Sequence, residues 1–187
     1  KQNDDQIVVV VSAMGDTTDD LLALAEGIDK HPYKTQYLRE LDMLMTTGEQ
    51  VSIALLAMAF QKFGHKAVSL TGAMVGMKTS DVHTKGRILQ INPERVKTEL
   101  NKGNIVVVAG FQGIDKFGDP VTLGRGGSDT SAVALAGALK ADSCEIFTDV
   151  DGIYTADPRI VKGARKMPEI TYYEMLEMAR LGAGVMQ

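Results

Sequence analysis

The sequence predicts an α/β fold, a three-layer αβα sandwich around a mostly parallel sheet. Runs of apolar residues without polar alternation are typical of strands covered on both faces, as in parallel sheets. Segments with the spacing or composition of helices lie between these runs, so strands and helices alternate along the chain. There is no internal repeat or low-complexity linker, and 187 residues are enough for one well-packed domain.

The first part of the chain predicts a strand, a helix and a long helical region. Residues 7–11 (IVVVV) are expected to form a buried strand. Residues 16–18 supply capping side chains for a helix whose apolar face begins at Leu21. Residues 37–63 are helical in propensity throughout. Gly48 should divide them into two helices, and the second is apolar almost all round, so we expect it to be buried.

The rest of the chain repeats this alternation. In order, we predict a strand at 67–70, a glycine-rich loop, a strand at 88–91, a helix from Pro93, a strand at 104–109, a hairpin tip at 115–119 before a strand at 121–123, a helix at 128–139, a strand at 144–147, a loop at 149–162 and a helix at 172–181. The strand at 144–147 should be buried, which makes Cys144 an inert core thiol.

Composition and charge exclude several classes of function. The net charge of −4, with both signs spread and no basic run, gives no footprint for nucleic acid or an anionic membrane. A single cysteine excludes an intramolecular disulfide, and three scattered histidines do not suggest a metal site. The apolar stretch at 51–60 is too short to cross a bilayer. We therefore expect a cytoplasmic protein with small-molecule partners.

Polar segments just after the apolar runs are the candidate binding regions, because ligands of α/β folds bind at the carboxyl ends of strands. They are residues 12–20 (SAMGDTTDD), 46–50 (TTGEQ), 122–129 (TLGRGGSD) and 148–159 (TDVDGIYTADPR).

TLGRGGSD is the most informative of these segments. Gly126 and Gly127 let the backbone approach an anion, and the helix opening at Ser128 points its free N–H groups at the same place. Arg125 suits a carboxylate or phosphate, and Asp129 suits an ammonium group or a catalytic lysine. Together they suit a zwitterion. The alternative is a glycine turn capped by Ser128 beside a solvated arginine.

The other segments also have structural alternatives. Glu49 opens an apolar helix, where the helix dipole favours a carboxylate, so it could be only an N-terminal charge. Ser12 and residues 16–20 could form only a helix cap with a solvated acidic turn. Asp149 precedes a polar loop long enough to wrap a nucleotide, although a surface loop with a proline turn is common.

Five consecutive motifs resemble the aspartokinase family. They are SAMGDTTDDLL, TTGEQVSIALLAMA, AGFQG, TLGRGGSDTSAVALA and TDVDGIYTADPR, and they stand in the order and spacing of that family over essentially the whole chain. The last two distinguish it from the glutamate, acetylglutamate, uridylate and carbamate kinases that share the fold.

The resemblance implies an amino-acid-kinase (carbamate-kinase-like) fold, incomplete at both ends, and transfer of a phosphoryl group from MgATP to L-aspartate. The product would be 4-phospho-L-aspartate, in the first step towards lysine, threonine and methionine. It also implies a homo-oligomer or a pairing with a regulatory subunit.

The resemblance assigns roles to residues that match the motifs. Arg125 and Asp129 would be catalytic: Arg125 holds the α-carboxylate of aspartate and Asp129 organises a phosphate-binding lysine. Glu49 would help to bind the amino group, and Ser128 would line the same pocket with the amides of Gly126 and Gly127. The remaining residues of the active cleft are Asp16, Thr17, Thr18, Asp19 and Asp20 beside the substrate and Ser12, Thr148, Asp149, Tyr154, Thr155, Ala156, Asp157, Pro158 and Arg159 in the nucleotide site.

Two departures from the family pattern bear on activity. Relatives carry an essential lysine in a KFGG segment that precedes the region matched here, so we expect residues 1–187 to be a partial catalytic domain, inactive or nearly so by itself. Gly184 replaces a lysine that contacts nucleotide in many relatives. The ACT regulatory domains of the family also lie outside this sequence. A non-catalytic binding subunit, or another kinase of the same fold, is the alternative.

Overall fold

The computed structural model describes residues 5–148 and 152–180. They fall into two compact units, residues 1–144 and 145–187, and each unit is described by itself. The strands of the first unit are β1 (Val8–Val11), β2 (Ala67–Leu70), β3 (Met77–Thr79), β4 (Ile88–Ile91), β5 (Ile105–Ala109), β6 (Gln112–Ile114) and β7 (Pro120–Thr122). Its helices are α1 (Thr17–Ile28), a 3-10 turn (Thr35–Tyr37), α2 (Leu38–Met45), α3 (Thr47–Lys62), α4 (Glu94–Asn101) and α5 (Gly127–Leu139).

Three parallel strands form the first sheet, in the order β1-β5-β2. Val8 of β1 pairs with Val106 of β5, and Ala67 of β2 pairs with Ile105. All five residues of β5 are buried, as its apolar run predicts.

Helices cover both faces of this sheet. Alternate residues of β5 point to opposite sides, so Val106 and Val108 pack with Leu135 of α5, whereas Val107 packs with Ile53 of α3. Helix α4 joins the α5 side. The predicted three-layer α/β arrangement is confirmed for this sheet.

A second sheet differs from the prediction of a mostly parallel arrangement. Its order is β4-β3-β6-β7, and only β3 and β6 run parallel. The short loop between β6 and β7 explains the antiparallel pairing of these two strands, because a tight hairpin can join only antiparallel strands. Strand β3 lies where the sequence predicts only a glycine-rich loop. Gly113 allows it to pair closely with β6, since a Cβ there would lie 2.8 Å from the Met77 carbonyl oxygen.

The long helical region breaks at Thr46, two residues before the predicted break at Gly48. The prediction that the second helix is buried was wrong for one of its faces. Val51, Leu55 and Met58 of α3 are 49%, 48% and 63% exposed. A helix packed against one face of a sheet presents its other face outward, whatever residues that face carries.

The stretch Thr35–Lys62 is long and apolar enough to be scored as a membrane-spanning helix. In the structure it consists of separate helices that meet at Thr46, and it buries the carboxyl groups of Asp42 and Glu49 against the rest of the unit. A break at Thr46 and buried carboxyl groups are features of helices packed within a folded domain.

The prediction of a buried strand at 144–147 was wrong. No described strand pairs with them, and Cys144 is exposed, so it is not a core thiol. An apolar run becomes a strand only where a neighbouring backbone completes its hydrogen bonds. The described part of the second unit contains a bridge between Tyr154 and Lys166 and helix α6 (Tyr172–Arg180), which agrees with the predicted helix up to Leu181, a residue outside the described range.

Candidate functional site

The loop after β1 leads into α1 without the predicted side-chain caps. Asp16 takes the N-cap position, but its side chain makes no capping hydrogen bond. Its φ of −91° and ψ of 13° differ from the extended conformation that turns an N-cap side chain back onto the helix. Thr17 instead donates its hydroxyl to the Met14 carbonyl oxygen at 2.6 Å. The exposed side chains of Asp19 and Asp20 remain in the first turn, where the helix dipole favours them.

Glu49 is buried at the start of α3, with 3% of its surface exposed. Its Oε1 accepts a hydrogen bond of 3.1 Å from the Ala13 N–H, whereas its Oε2 is buried without a partner among the described residues. Burial raises the pKa of this carboxyl above its usual value, since loss of water disfavours the charged form. Glu49 does lie in the first turn of α3, as an N-terminal charge would, and it is also a buried acceptor with one oxygen that has no partner among the described residues.

Gly48 permits this contact between α3 and the loop after β1. A Cβ at Gly48 would lie 2.9 Å from the Ala13 Cβ and 3.5 Å from Thr17 Cγ2. Distances under 3.0 Å are sterically excluded for a Cβ, so a larger residue would push α3 away from the loop.

The turn between β7 and α5 uses two glycines in the left-handed region. Gly124 has φ +80°, and Gly126 has φ +67° and takes the N-cap position. The helix therefore begins at Gly127, one residue earlier than predicted, and the alternative of a cap by Ser128 is wrong. Among the described residues, the N–H groups of Ser128 and Asp129 have no acceptor. Free N–H groups at the positive end of a helix dipole form a site for an anion.

Arg125 and Asp129 flank these N–H groups. Arg125 is exposed and Asp129 is half-buried. Within the described ranges neither side chain forms an ion pair or a hydrogen bond, so both side chains are available to a ligand.

Backbone contacts hold the start of α5 against the carboxyl end of β5. A Cβ at Gly110 would lie 2.8 Å from Ser128 Oγ, and the Gly110 N–H donates to the Val11 carbonyl at the end of β1. Phe111 adopts φ +65°, and its N–H donates to Ser131 Oγ at 3.1 Å. The helix start therefore lies at the same sheet edge as Ala13. Sequence reasoning missed Gly110, Phe111 and Ser131, although the AGFQG motif contains the first two.

In the second unit, Tyr154 forms an isolated β-bridge and Thr155 lies next to it. Tyr154 bridges to Lys166, and the Thr155 N–H donates to the Arg165 carbonyl at 3.0 Å. The Thr155 hydroxyl in turn accepts from the Arg165 N–H at 3.1 Å. This pairing fixes one side of the loop that was predicted to bind nucleotide.

A turn with a clamped arginine follows in the same loop. Arg159 Nη2 donates to Asp157 Oδ2 at 2.8 Å and its Nε to Oδ1 at 3.1 Å. The guanidinium holds the pKa of Asp157 below its usual value. The Arg159 side chain is still 88% exposed. Ala156 is half-buried, and Thr148 and Pro158 are exposed. Asp149 and Gly184 lie outside the described residues.

The structure thus brings Glu49, the loop after β1 and the start of α5 to one edge of the first sheet. Of the residues predicted to bind nucleotide, those from Thr148 to Arg159 belong to the second unit. Ser12 belongs to the first unit and is exposed just after the end of β1.

Comparison with known proteins agrees with this architecture. The aspartokinase of Bacillus sp. (strain MGA3) is 59% identical over 186 residues, which are 100% of this chain and 44% of that protein. The crystal structure of aspartate kinase from Synechocystis has a TM-score of 0.79 and 54% identity, and covers 97% of this chain and 29% of its own. E. coli aspartokinase III in complex with aspartate and ADP has a TM-score of 0.76 and 33% identity, covering 90% of this chain and 38% of its own.

This chain therefore spans less than half the length of the curated relatives that it matches. The sequence profile described as the amino acid kinase family matches residues 1–187. The chain belongs to the amino acid kinase family.

Proposed function

We propose that this chain is the catalytic part of an aspartokinase, a cytoplasmic enzyme that transfers the γ-phosphoryl group of MgATP to the side-chain carboxylate of L-aspartate. The products are ADP and 4-phospho-L-aspartate. The identity to aspartokinases along the whole chain supports the reaction. The bound aspartate and ADP of E. coli aspartokinase III support the two substrates.

The unpartnered Oε2 of Glu49 is the observation that carries the proposal. A buried carboxylate without a second donor is costly, and an ammonium group would supply both the missing donor and the opposite charge. Since Glu49 Oε1 is already fixed by Ala13, only Oε2 is left for a ligand. We assign it to the amino group of aspartate.

The start of α5 suits the other end of the same substrate. Arg125 presents a planar cation to the α-carboxylate, and the free N–H groups of Ser128 and Asp129 add dipoles of the right sign. The carboxylate of Asp129 is assigned to a lysine that binds phosphate. An amino acid held at both its charged groups leaves its side chain as the only free nucleophile.

Charge sets the chemical problem that this site must solve. The side chain of aspartate has a pKa of about 3.9, so it is ionised at neutral pH and needs no general base. One of its oxygens attacks the γ-phosphorus, the bond from that phosphorus to the β-phosphate oxygen breaks, and ADP leaves with the electron pair. Two anions must approach each other, so the protein contributes cations, oriented amides and alignment.

The nucleotide is assigned to the loop of the second unit. The exposed guanidinium of Arg159 has N–H donors beyond the two that Asp157 accepts, which suits a phosphate, and Tyr154 offers a ring beside a nucleotide. No group of three metal-ligating side chains occurs among the described residues. We assign Mg²⁺ to the phosphates of ATP, where it would offset their negative charge.

Hydroxamate formation tests the proposal. The full-length protein is given ATP and aspartate, glutamate or acetylglutamate, and the acyl phosphate is trapped with hydroxylamine. We expect product from aspartate only, and Arg125→Ala should raise the KM for aspartate by about tenfold or more, as expected for loss of a charged hydrogen bond.

Two outcomes would contradict the proposal. Product from glutamate but not from aspartate would identify a different kinase of the same fold. Tight binding of aspartate without any product would identify a non-catalytic binding subunit.

A further inference from the structure

Asp42 of α2 is a fully buried carboxylate that lies outside the candidate site. None of its surface is exposed. Its Oδ1 accepts a hydrogen bond of 2.6 Å from the Thr122 hydroxyl at the end of β7. Both oxygens accept from the Thr84 N–H at 3.0 and 3.1 Å, and Oδ2 lies 2.8 Å from His83 Nδ1. A buried carboxyl group is stable only when its oxygens take part in hydrogen bonds, so Asp42 ties α2 to the end of β7 and to the loop at residues 83–84.

The bond to Thr84 holds a strained backbone. Thr84 has φ +66°, a region that β-branched residues rarely adopt and that persists only when the surroundings impose it. Its carbonyl oxygen lies 3.4 Å from the position of a Cβ on Gly124. The same loop binds the end of β7 directly, because the Gly86 N–H donates to the Thr122 carbonyl at 2.8 Å. Asp42 therefore supports β7 both through the Thr122 side chain and through this loop.

The elements that Asp42 joins lead directly to Arg125 and Glu49, the two residues proposed to bind the substrate aspartate. Thr122 precedes Arg125 by three residues, through the turn that contains Gly124. On the other side, α2 ends at Met45, and its C-cap Thr46 precedes Glu49 by three residues. The buried Gln112 side chain donates to the Thr46 carbonyl at 3.0 Å, which fixes that junction to the same sheet.

We propose that Asp42 is a positioning residue for substrate binding. It does not touch the substrate; by holding Thr122 and Thr84 it fixes the turn that carries Arg125 relative to the helix that carries Glu49. The spacing of these two side chains then sets the affinity for the amino acid but not for the nucleotide. This inference rests on the proposed function, since that function defines the two ligands.

Thr122→Val in the full-length protein tests the inference, because it removes one hydrogen bond of Asp42 at nearly constant shape. Thr79→Val is the matched control: Thr79 is equally buried in the same sheet, and its hydroxyl has no partner among the described residues. We expect Thr122→Val to raise the KM for aspartate about tenfold with an unchanged KM for ATP. Thr122→Ser should restore the wild-type value, and Thr79→Val should leave it unchanged.

A double variant that combines Asp42→Ala with Thr122→Val gives a second test of the inference. If both residues act through one hydrogen bond, the effects of Asp42→Ala and Thr122→Val on the KM for aspartate are not additive. Equal effects of Thr122→Val and Thr79→Val, or an unchanged KM for aspartate in Thr122→Val, would overturn the inference.

Hydrogen exchange of residues 122–128 separates this inference from the proposed function. We expect exchange in this turn to be about tenfold faster in Thr122→Val than in Thr79→Val, whichever substrate the protein uses. Equal exchange would refute the positioning role, whereas faster exchange in a protein that does not phosphorylate aspartate would refute the proposed function alone.

Discussion

Replacement of Glu49 by glutamine removes one negative charge from the candidate site and preserves its shape. The glutamine carbonyl can still accept the Ala13 N–H, which the wild-type Oε1 accepts at 3.1 Å. The side-chain amide would then take the place of the unpartnered Oε2. An amide N–H₂ cannot accept from an ammonium group, so the substrate would lose one ionic hydrogen bond and meet a donor instead.

Burial determines the size of this effect. Glu49 is only 3% exposed, so little solvent screens its interaction with a ligand. A hydrogen bond between buried charged groups contributes about 2–3 kcal/mol, which corresponds to a rise of about 30- to 150-fold in the KM for aspartate. The KM for ATP should stay the same. Steady-state kinetics of the full-length enzyme, with each substrate varied in turn, measure both constants.

In the unliganded protein, Glu49→Gln should be favourable and increase the free energy of unfolding. Since burial raises the pKa of Glu49 above the usual 4.5, its contribution to stability is complete below that pH and is lost as the pH rises through the raised pKa. Glu49→Gln should therefore increase the free energy of unfolding more at about pH 8 than at about pH 4, as measured with urea. A KM for aspartate within about twofold of wild type would refute the assignment of Glu49 to the amino group.

Three further predictions concern packing and charge. Gly110→Ala should cost about 1–3 kcal/mol in the free energy of unfolding and weaken aspartate binding, because its Cβ would lie 2.9 Å from Ser128 Cα. Gly137→Ala should instead stabilise the protein by about 1 kcal/mol, since its Cβ would meet nothing within 4 Å inside a helix; urea unfolding measures both, and a loss for Gly137→Ala contradicts the second. Arg39 holds the pKa of Asp119 below 3.8, so their pairing stabilises at neutral pH and is lost as the pH falls through that lowered pKa. Arg39→Gln should reduce the difference between urea midpoints at about pH 7 and pH 3, and an unchanged difference contradicts this.

The parallel sheet was predictable because its signal is local. Residues 7–11 and 105–109 are apolar without alternation, and both contain strands that are covered on two faces. The structure places Glu49 and the start of α5 beside the carboxyl ends of β1 and β5, although Glu49 follows helix α2 and the TLGRGGSD turn follows β7 of the second sheet.

The errors arose where structure depends on distant partners. The run at 144–147 has the composition of a buried strand, but composition does not reveal whether a neighbouring strand is present. Likewise, the apolar outer face of α3 resembles a buried face in sequence, and only the packing shows Met58 to be exposed. The role of Asp42 was missed because its partners lie at residues 83, 84 and 122, far along the chain.

The strand order β1-β5-β2 has a consequence for how the chain folds. Val8 finds its partner Val106 only after roughly a hundred further residues have been synthesised, and β2 depends on the same central strand. Until then, the apolar segment at 7–11 has no native strand beside it and can associate with other nascent chains. Because the central strand of this sheet is added after both outer strands, we expect the protein to refold slowly and to depend on chaperones.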